Sequence, residues 1–270
     1  MKRSTQFIAI MLLTAGCAGA QSQEAAPAAL VAAERAFARA ASVRTVNEAF
    51  LAVLADSAII FRPAPVIARA ALAERPMRAT LSLVWTPIFA ETSSDGLFGF
   101  DGGPSEIGER GQPPAGTGFF FSVWRKNGGV WQLETDCGIS SPIPVRPDSA
   151  AHLLTMRVTN RKLEDARPLR GVESWLIADY KNRFAQLADE DARVYRNGTT
   201  PTTTRADAIA LVARDADVKQ EISRVVMGGA GELGYVIGVI DPNGPTPRGY
   251  QRLYRHGADG TWKIAVDCRP

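Results

Sequence analysis

Residues 124–137 read WRKNGGVWQLETDC, and residues 254–268 read YRHGADGTWKIAVDC. Each stretch is a strand, a Gly-rich turn, a second strand opening on Trp, and then Asp-Cys. Trp131, Asp136 and Cys137 map onto Trp262, Asp267 and Cys268 without a gap. A match across two whole hairpins predicts a tandem duplication of one small module. Asn127-Gly128-Gly129 and Asp259-Gly260 supply the turn chemistry that closes each hairpin.

Upstream of the first hairpin, residues 28–40 and 43–55 have the composition of amphipathic helices. Ala58-Ile59-Ile60-Phe61 reads as a short strand ended by Pro63 and Pro65. Residues 68–75 return to helical composition, and strands are expected at 80–90, 97–101, 118–126 and 130–137. The Gly- and Pro-dense stretch 102–118 reads as a long surface loop. The second hairpin has the same prelude: a helix over Leu176–Leu187, a strand over Ala192–Arg196, a helix from Arg205 and a strand over Leu233–Gly238. Pro142, Pro144 and Pro147 mark a linker, and 148–166 reads as a helix before Pro168. The expected organisation is a first module over 25–141, a linker over 142–168 and a second module over 169–270. Helices followed by antiparallel strands make an α+β plan, a curved sheet wrapped around about three helices in each module.

The first 20 residues read as a signal peptide. Lys2 and Arg3 are the positive region, Phe7 to Leu13 the apolar run, and Ala18-Gly19-Ala20 the small-residue cleavage pattern. A competing reading takes Thr14-Ala15-Gly16-Cys17 as a lipobox, which leaves Cys17 lipidated at the mature N-terminus. Either reading exports the protein, to the bacterial periplasm or to a lipid anchor on the envelope. Removing Lys2 and Arg3 takes the formal charge from +3 to +1. A near-neutral chain with interspersed signs lacks the footprint of a nucleic-acid binder. Cys137 and Cys268, at matching positions of an exported chain, invite one disulfide between the modules. The alternative is two small buried hydrophobes at strand ends.

The residues so aligned resemble the NTF2-like superfamily, in its SnoaL-like or DUF4440-type branch of unknown function. The carriers are Ala49-Phe50, Leu54-Ala55-Asp56, Phe61-Arg62, Gly99-Phe100, Gly103, Val123-Trp124-Arg125, Trp131 and Asp136. In the second copy they are Phe184, Ala188-Asp189-Glu190-Asp191, Tyr195-Arg196, Gly234-Tyr235, Gly238, Tyr254-Arg255, Trp262 and Asp267. The resemblance implies a cone-shaped fold, or cystatin-like roll, whose bent sheet and helices enclose a pocket. It also implies packing of the two modules as an intrachain pseudo-dimer, with equivalent residues such as Cys137 and Cys268 brought near one another.

Strict alternation along the last strand puts Trp131, Leu133, Thr135 and Cys137 on one face and Gln132, Glu134 and Asp136 on the other. Asp136 and Asp267 are the catalytic candidates, as general bases at the pocket mouth. The alternative is a strand-end Asp that fixes a neighbouring loop. Ketosteroid isomerase, a member of this superfamily, pairs an Asp base with a Tyr and a protonated carboxyl. Tyr195, Tyr235, Tyr250 and Tyr254 would serve such chemistry in the second copy, where the first has Phe61, Phe100, Phe120 and Trp124. The ligand-binding candidates are Arg62, Trp85, Phe100, Trp124, Arg196, Tyr195, Tyr235 and Tyr254. Arg62 and Arg196 would clamp a carboxylate, or else pair with Asp56 or Asp191. His152 and His256 stand apart from any Cys/Asp cluster at metal spacing, and no motif calls for a metal or a cofactor. The expected function is non-catalytic binding of a small apolar or amphipathic ligand, or of a protein partner, in the paired pockets. The alternatives are an isomerase, dehydratase or hydrolase using Asp267 with a tyrosine, and a purely structural envelope protein.

Overall fold

Thr45 decides how the chain enters its first sheet. Its hydroxyl accepts the Glu48 N–H at 3.2 Å, and the Glu48 carboxylate accepts the Thr45 N–H at 3.0 Å. This reciprocal cap ends helix α1 (Gln21–Val43) and starts α2 (Val46–Val53). The protein, in a computed structural model, is described over residues 21–142, 152–153, 165–228 and 230–270. The expected signal peptide and Cys17 lie outside these residues. Among the described residues no helix is long and apolar enough to cross a membrane.

The first half continues with β1 (Leu54–Phe61), β2 (Pro65–Ile67) and α3 (Ala68–Glu74). Next come β3 (Leu81–Trp85), β4 (Phe89–Thr92), β5 (Phe98–Glu109), β6 (Gly116–Asn127) and β7 (Val130–Ser141). A two-residue strand, β8 (His152–Leu153), pairs parallel with β4. The second half has α4 (Arg167–Ala178), α5 (Tyr180–Leu187), β9 (Ala188–Arg196) and α6 (Arg205–Val212). It ends with β10 (Gln220–Met227), β11 (Leu233–Ile240), β12 (Arg248–His256) and β13 (Trp262–Arg269). The first sheet runs β2-β1-β7-β6-β5-β4-β8, with β3 also on β5; the second runs β10-β11-β12-β13-β9. In each, the first strand lies parallel to the last, β1 on β7 and β9 on β13.

Several expectations need correction. The stretch 102–118 is mostly strand, because β5 runs on to Glu109 and β6 begins at Gly116. Its glycines serve close approach rather than flexibility: a Cβ on Gly103 would overlap the Thr86 carbonyl, and one on Gly118 the Ile139 carbonyl. The expected strand 80–90 breaks around Pro87 into β3 and β4. The expected helix over Leu176–Leu187 is two, meeting at Asp179. Of the expected helix 148–166, residues 152–153 are strand, 165–166 precede α4, and the rest lies outside the described residues.

Three buried clusters result. One fills the cone between the first sheet and α1–α3, with Leu30, Phe37, Phe50, Leu72, Trp85, Phe120, Trp124 and Leu133. Its counterpart in the second half has Leu169, Leu176, Phe184, Tyr250, Tyr254, Trp262 and Ile264. The third lies between the outer faces of the two sheets, where Phe98, Phe100, Phe121 and Ile139 meet Tyr195, Tyr235, Leu253 and Val266. A disulfide joins Cys137 to Cys268 inside this layer, both fully buried. Around it Thr135 Oγ1 donates to Gln251 Oε1 at 2.7 Å, and the Tyr235 hydroxyl to Glu134 at 3.0 Å.

Candidate functional site

A single extra residue in each last strand brings the two aspartates into the cones. Trp124 pairs with Leu133 and Val123 with Thr135, so Glu134 is left over as a bulge. Tyr254 pairs with Ile264 and Leu253 with Val266, so Ala265 is left over at the matching place. Before the bulge, Trp131 and Leu133 face the first cone; after it, Cys137 and Ile139 face the other sheet. Strict alternation therefore fails at Glu134, since one added residue flips every side chain beyond it. Asp136 and Asp267 land in their own cones while the adjacent cysteines land between the sheets.

In the first cone, α1 presents Glu34 on the same face as Leu30, Phe37 and Ala41, and it is wholly buried. Trp85 Nε1 donates to Glu34 Oε1, and Trp124 Nε1 donates to Glu34 Oε2 at 3.0 Å. Trp124 Nε1 also reaches Asp101 Oδ1 at 3.3 Å, while the buried Asp101 Oδ2 receives no N–H or O–H. Asp101 and Glu34 thus share one indole N–H, which places two buried carboxyls side by side. Burial pushes Asp101 well above the usual carboxylate range, and the Glu34 charge adds to it. Burial likewise lifts Glu34 to about 7, against the opposing Trp85 hydrogen bond and with help from Asp136. Asp136 rises to about 6 through desolvation, opposed by the Ser122 hydroxyl that donates to it at 3.0 Å. Glu34 and Asp136 line a cavity of about 80 Å³ walled by Phe37, Phe50, Trp85 and Phe120. Among the described residues no Lys, Arg or His pairs with any of the three acids.

The second cone has the same frame and a different filling. Tyr254, in the register position of Trp124, donates its hydroxyl to Glu173 on α4. Tyr250 donates to the same carboxylate at 2.9 Å. Between Glu173 and Asp267 lies the guanidinium of Arg252, fully buried: Nη1 bonds Glu173, Nε bonds Asp267 at 2.6 Å and Nη2 bonds Gln220 at 2.5 Å. Asp267 also receives Arg196 Nη1 at 3.0 Å and the Tyr180 hydroxyl at 2.8 Å. Burial alone would raise Asp267, but Arg252, Arg196 and Arg269 outweigh it and hold the carboxyl well below its ordinary range. A carboxylate so saturated is a poor proton acceptor.

The remaining candidates scatter. Trp85 and Trp124 belong to the first cone, Tyr254 and Arg196 to the network of the second. Phe100, Tyr195 and Tyr235 lie between the sheets and face no pocket of either cone. Arg62 pairs with neither Asp56 nor Asp191; it caps the end of α3 by donating to the carbonyls of Ala71 and Arg75. Arg196 pairs with Asp215 and Asp267. Sequence reasoning missed Glu34, Asp101 and Arg252. The signal for Glu34 was present: Leu30, Glu34, Phe37 and Ala41 share one helical face, as Leu169, Glu173 and Leu176 do. A larger cleft of about 410 Å³ lies where the halves meet, lined by Glu91, Asp189, Arg255, His256 and Lys263. Its central cation is already spoken for, because Arg255 pairs with Glu91, Asp189 and Asp191.

No family model and no curated protein matches this chain. Solved structures similar to part of it are NTF2-like and ketosteroid isomerase-like proteins. Nuclear transport factor 2 from Cryptosporidium parvum is 15% identical over 38% of this chain and 89% of its own, with a TM-score of 0.32. An NTF-2 like protein of unknown function from Shewanella oneidensis is 14% identical over 40% of this chain and 94% of its own, at 0.33. A ketosteroid isomerase-like protein from Erwinia carotovora is 19% identical over 38% and 89%, at 0.30. Likeness of that degree carries no argument about activity.

Proposed function

We propose that this chain is an exported tandem copy of an NTF2-like module, packed on itself as a pseudo-dimer, whose first cone is a small-molecule site. The second cone, closed by Arg252, is its scaffold. The observation that carries this reading is the set of three buried acids, Glu34, Asp101 and Asp136, of which Glu34 and Asp136 line a cavity, with no cation among the described residues to offset them. Buried acids without partners are costly to a fold and are characteristic of sites that use them. The like order of strands, the matching bulges and the disulfide between equivalent cysteines support the duplication and the self-packing. The disulfide and the N-terminal segment support export.

Native mass spectrometry of the mature protein from the exported fraction tests this. Wild type is expected to carry a small molecule that the Glu34→Gln, Asp136→Asn double variant lacks. A ligand retained in full by a folded double variant would place the site elsewhere. The same mass distinguishes a chain beginning at Gln21 from one lipidated at Cys17.

A second reading is proton transfer on a bound substrate, favoured by Glu34 near 7 and Asp136 near 6. Asp136 would take the proton, and Asp101, kept neutral by burial, would donate a hydrogen bond through the Glu34 pair. Exchange of a ligand C–H for deuterium in D2O, lost in Asp136→Asn, is its signature; a ligand bound without exchange excludes it.

A further inference from the structure

The second cone shows what the first one lacks. Trp124 lies opposite Gly99 in the first sheet, and Tyr254 opposite Gly234 in the second. Both aromatic side chains donate to a glutamate on the opening helix, Glu34 or Glu173. Two residues earlier on the same strands, Ser122 lies opposite Asp136 and Arg252 opposite Asp267. Two further back, Phe120 and Tyr250 are equivalent, opposite Gly103 and Gly238. The helix glutamate, the strand aspartate and the aromatic wall therefore recur, and the serine-for-arginine exchange sits between them. Where the second cone holds a guanidinium, between Glu173 and Asp267 and 4.3 Å from the centre of the Tyr250 ring, the first holds a cavity between Glu34 and Asp136 beside Phe120.

We propose that the first cone binds a small guanidinium-type cation, seated between Glu34 and Asp136 as the Arg252 guanidinium is seated between Glu173 and Asp267. The assignment rests on the reading of this cone as a small-molecule site and names the class of its ligand. The space agrees: about 80 Å³ takes a planar group of roughly four or five non-hydrogen atoms at protein packing density. The surroundings agree as well, since Phe37, Phe50, Trp85 and Phe120 line the cavity, and a desolvated cation gains from aromatic neighbours. The Asp101 carboxyl, whose Oδ2 meets no N–H or O–H, adds a third buried acid beside Glu34. Among the described residues no acidic cluster has the disposition of a metal site, and a flat organic cation suits the geometry better. Binding is balanced by proton release: a neutral carboxyl of the cone gives its proton to solvent, and the resulting carboxylate pairs with the incoming cation. Burial that lifts Glu34 to about 7 and Asp136 to about 6 sets where that release occurs.

Methylguanidinium and its uncharged isostere N-methylurea, both at millimolar concentration with the full mature chain, separate the outcomes. Calorimetry is expected to show methylguanidinium binding at least about tenfold more tightly than N-methylurea, since a buried charge pair is at stake. Proton release, read from the dependence of heat on buffer, accompanies it. Ser122→Arg should fold and lose that binding, because its own guanidinium takes the place. Should Ser122→Arg fail to fold, the two-ligand comparison on wild type still decides. Equal or tighter binding of N-methylurea overturns the cation assignment and leaves the cone as a site for neutral molecules. Binding of neither ligand overturns it too and also counts against the small-molecule reading.

Discussion

The two cones differ less in what they contain than in whether it is balanced. Each has a glutamate from its opening helix, an aspartate from its last strand and an aromatic donor between them. In the second cone Arg252 joins the two acids and bonds Gln220 as well. In the first, Ser122 stands at that strand position, and burial raises the proton affinity of the acids instead. A buried carboxylate is thus ion-paired and depressed, or unpaired and raised, according to the cations its strand neighbours bring to it. The ion network that looks most like a site is the part least free to act.

The comparison is broken most directly at Arg252. Replacement by Met leaves Glu173 buried without a cation and takes from Asp267 one of its guanidinium partners, and is expected to cost about 4 kcal/mol in urea unfolding; a loss below about 1 kcal/mol would show the network to be dispensable. Cleaving the tie between the halves ranks next. The Cys137→Ala, Cys268→Ala double variant removes a bridge across a sequence separation of 131 residues, and should lose about 3 kcal/mol. An unchanged midpoint would mean that the sheet-to-sheet layer holds without it.

The smallest effect carries the sharpest sign. Asp136 has a folded value near 6, above its ordinary 3.8, so its contribution is full below about pH 4 and is lost as pH rises through 6. Asp267 is depressed, so its contribution is present above its ordinary value and is lost on acidification. Asp136→Asn should therefore stabilise at pH 8, by at most about 3 kcal/mol, which is what a rise from 3.8 to about 6 is worth, and by nothing measurable at pH 3 to 4. Urea titrations at the two pH values check this; a gain of equal size at both would mean that ionisation is not its cause.

Much of the architecture was legible from the repeated hairpin, because Trp, Asp and Cys recur at one offset and turn residues close both copies. The pairing of Cys137 with Cys268 followed from the same symmetry. What was not legible depended on residues meeting from distant elements. Arg252 reads in sequence as one more polar strand residue, and only the register against Asp267 and the helix bearing Glu173 shows it to be a keystone. Glu34 was hidden in an alanine-rich helix where one glutamate draws no notice. The glycines of β5 and β6 misled in the other direction, since close backbone packing and a loose loop leave the same composition.

The bulges at Glu134 and Ala265 have a consequence for what kind of information the chain stores. One is acidic and bonded to Arg125 and Tyr235, the other small and apolar, so no shared side chain explains them. What they share is the act of being counted. Each shifts the parity of its strand, and that shift alone sends an aspartate to one compartment and the next residue, a cysteine, to the other. The division between acids inside and the disulfide outside is thus written as the length of a segment, indifferent to the letter that fills the extra place.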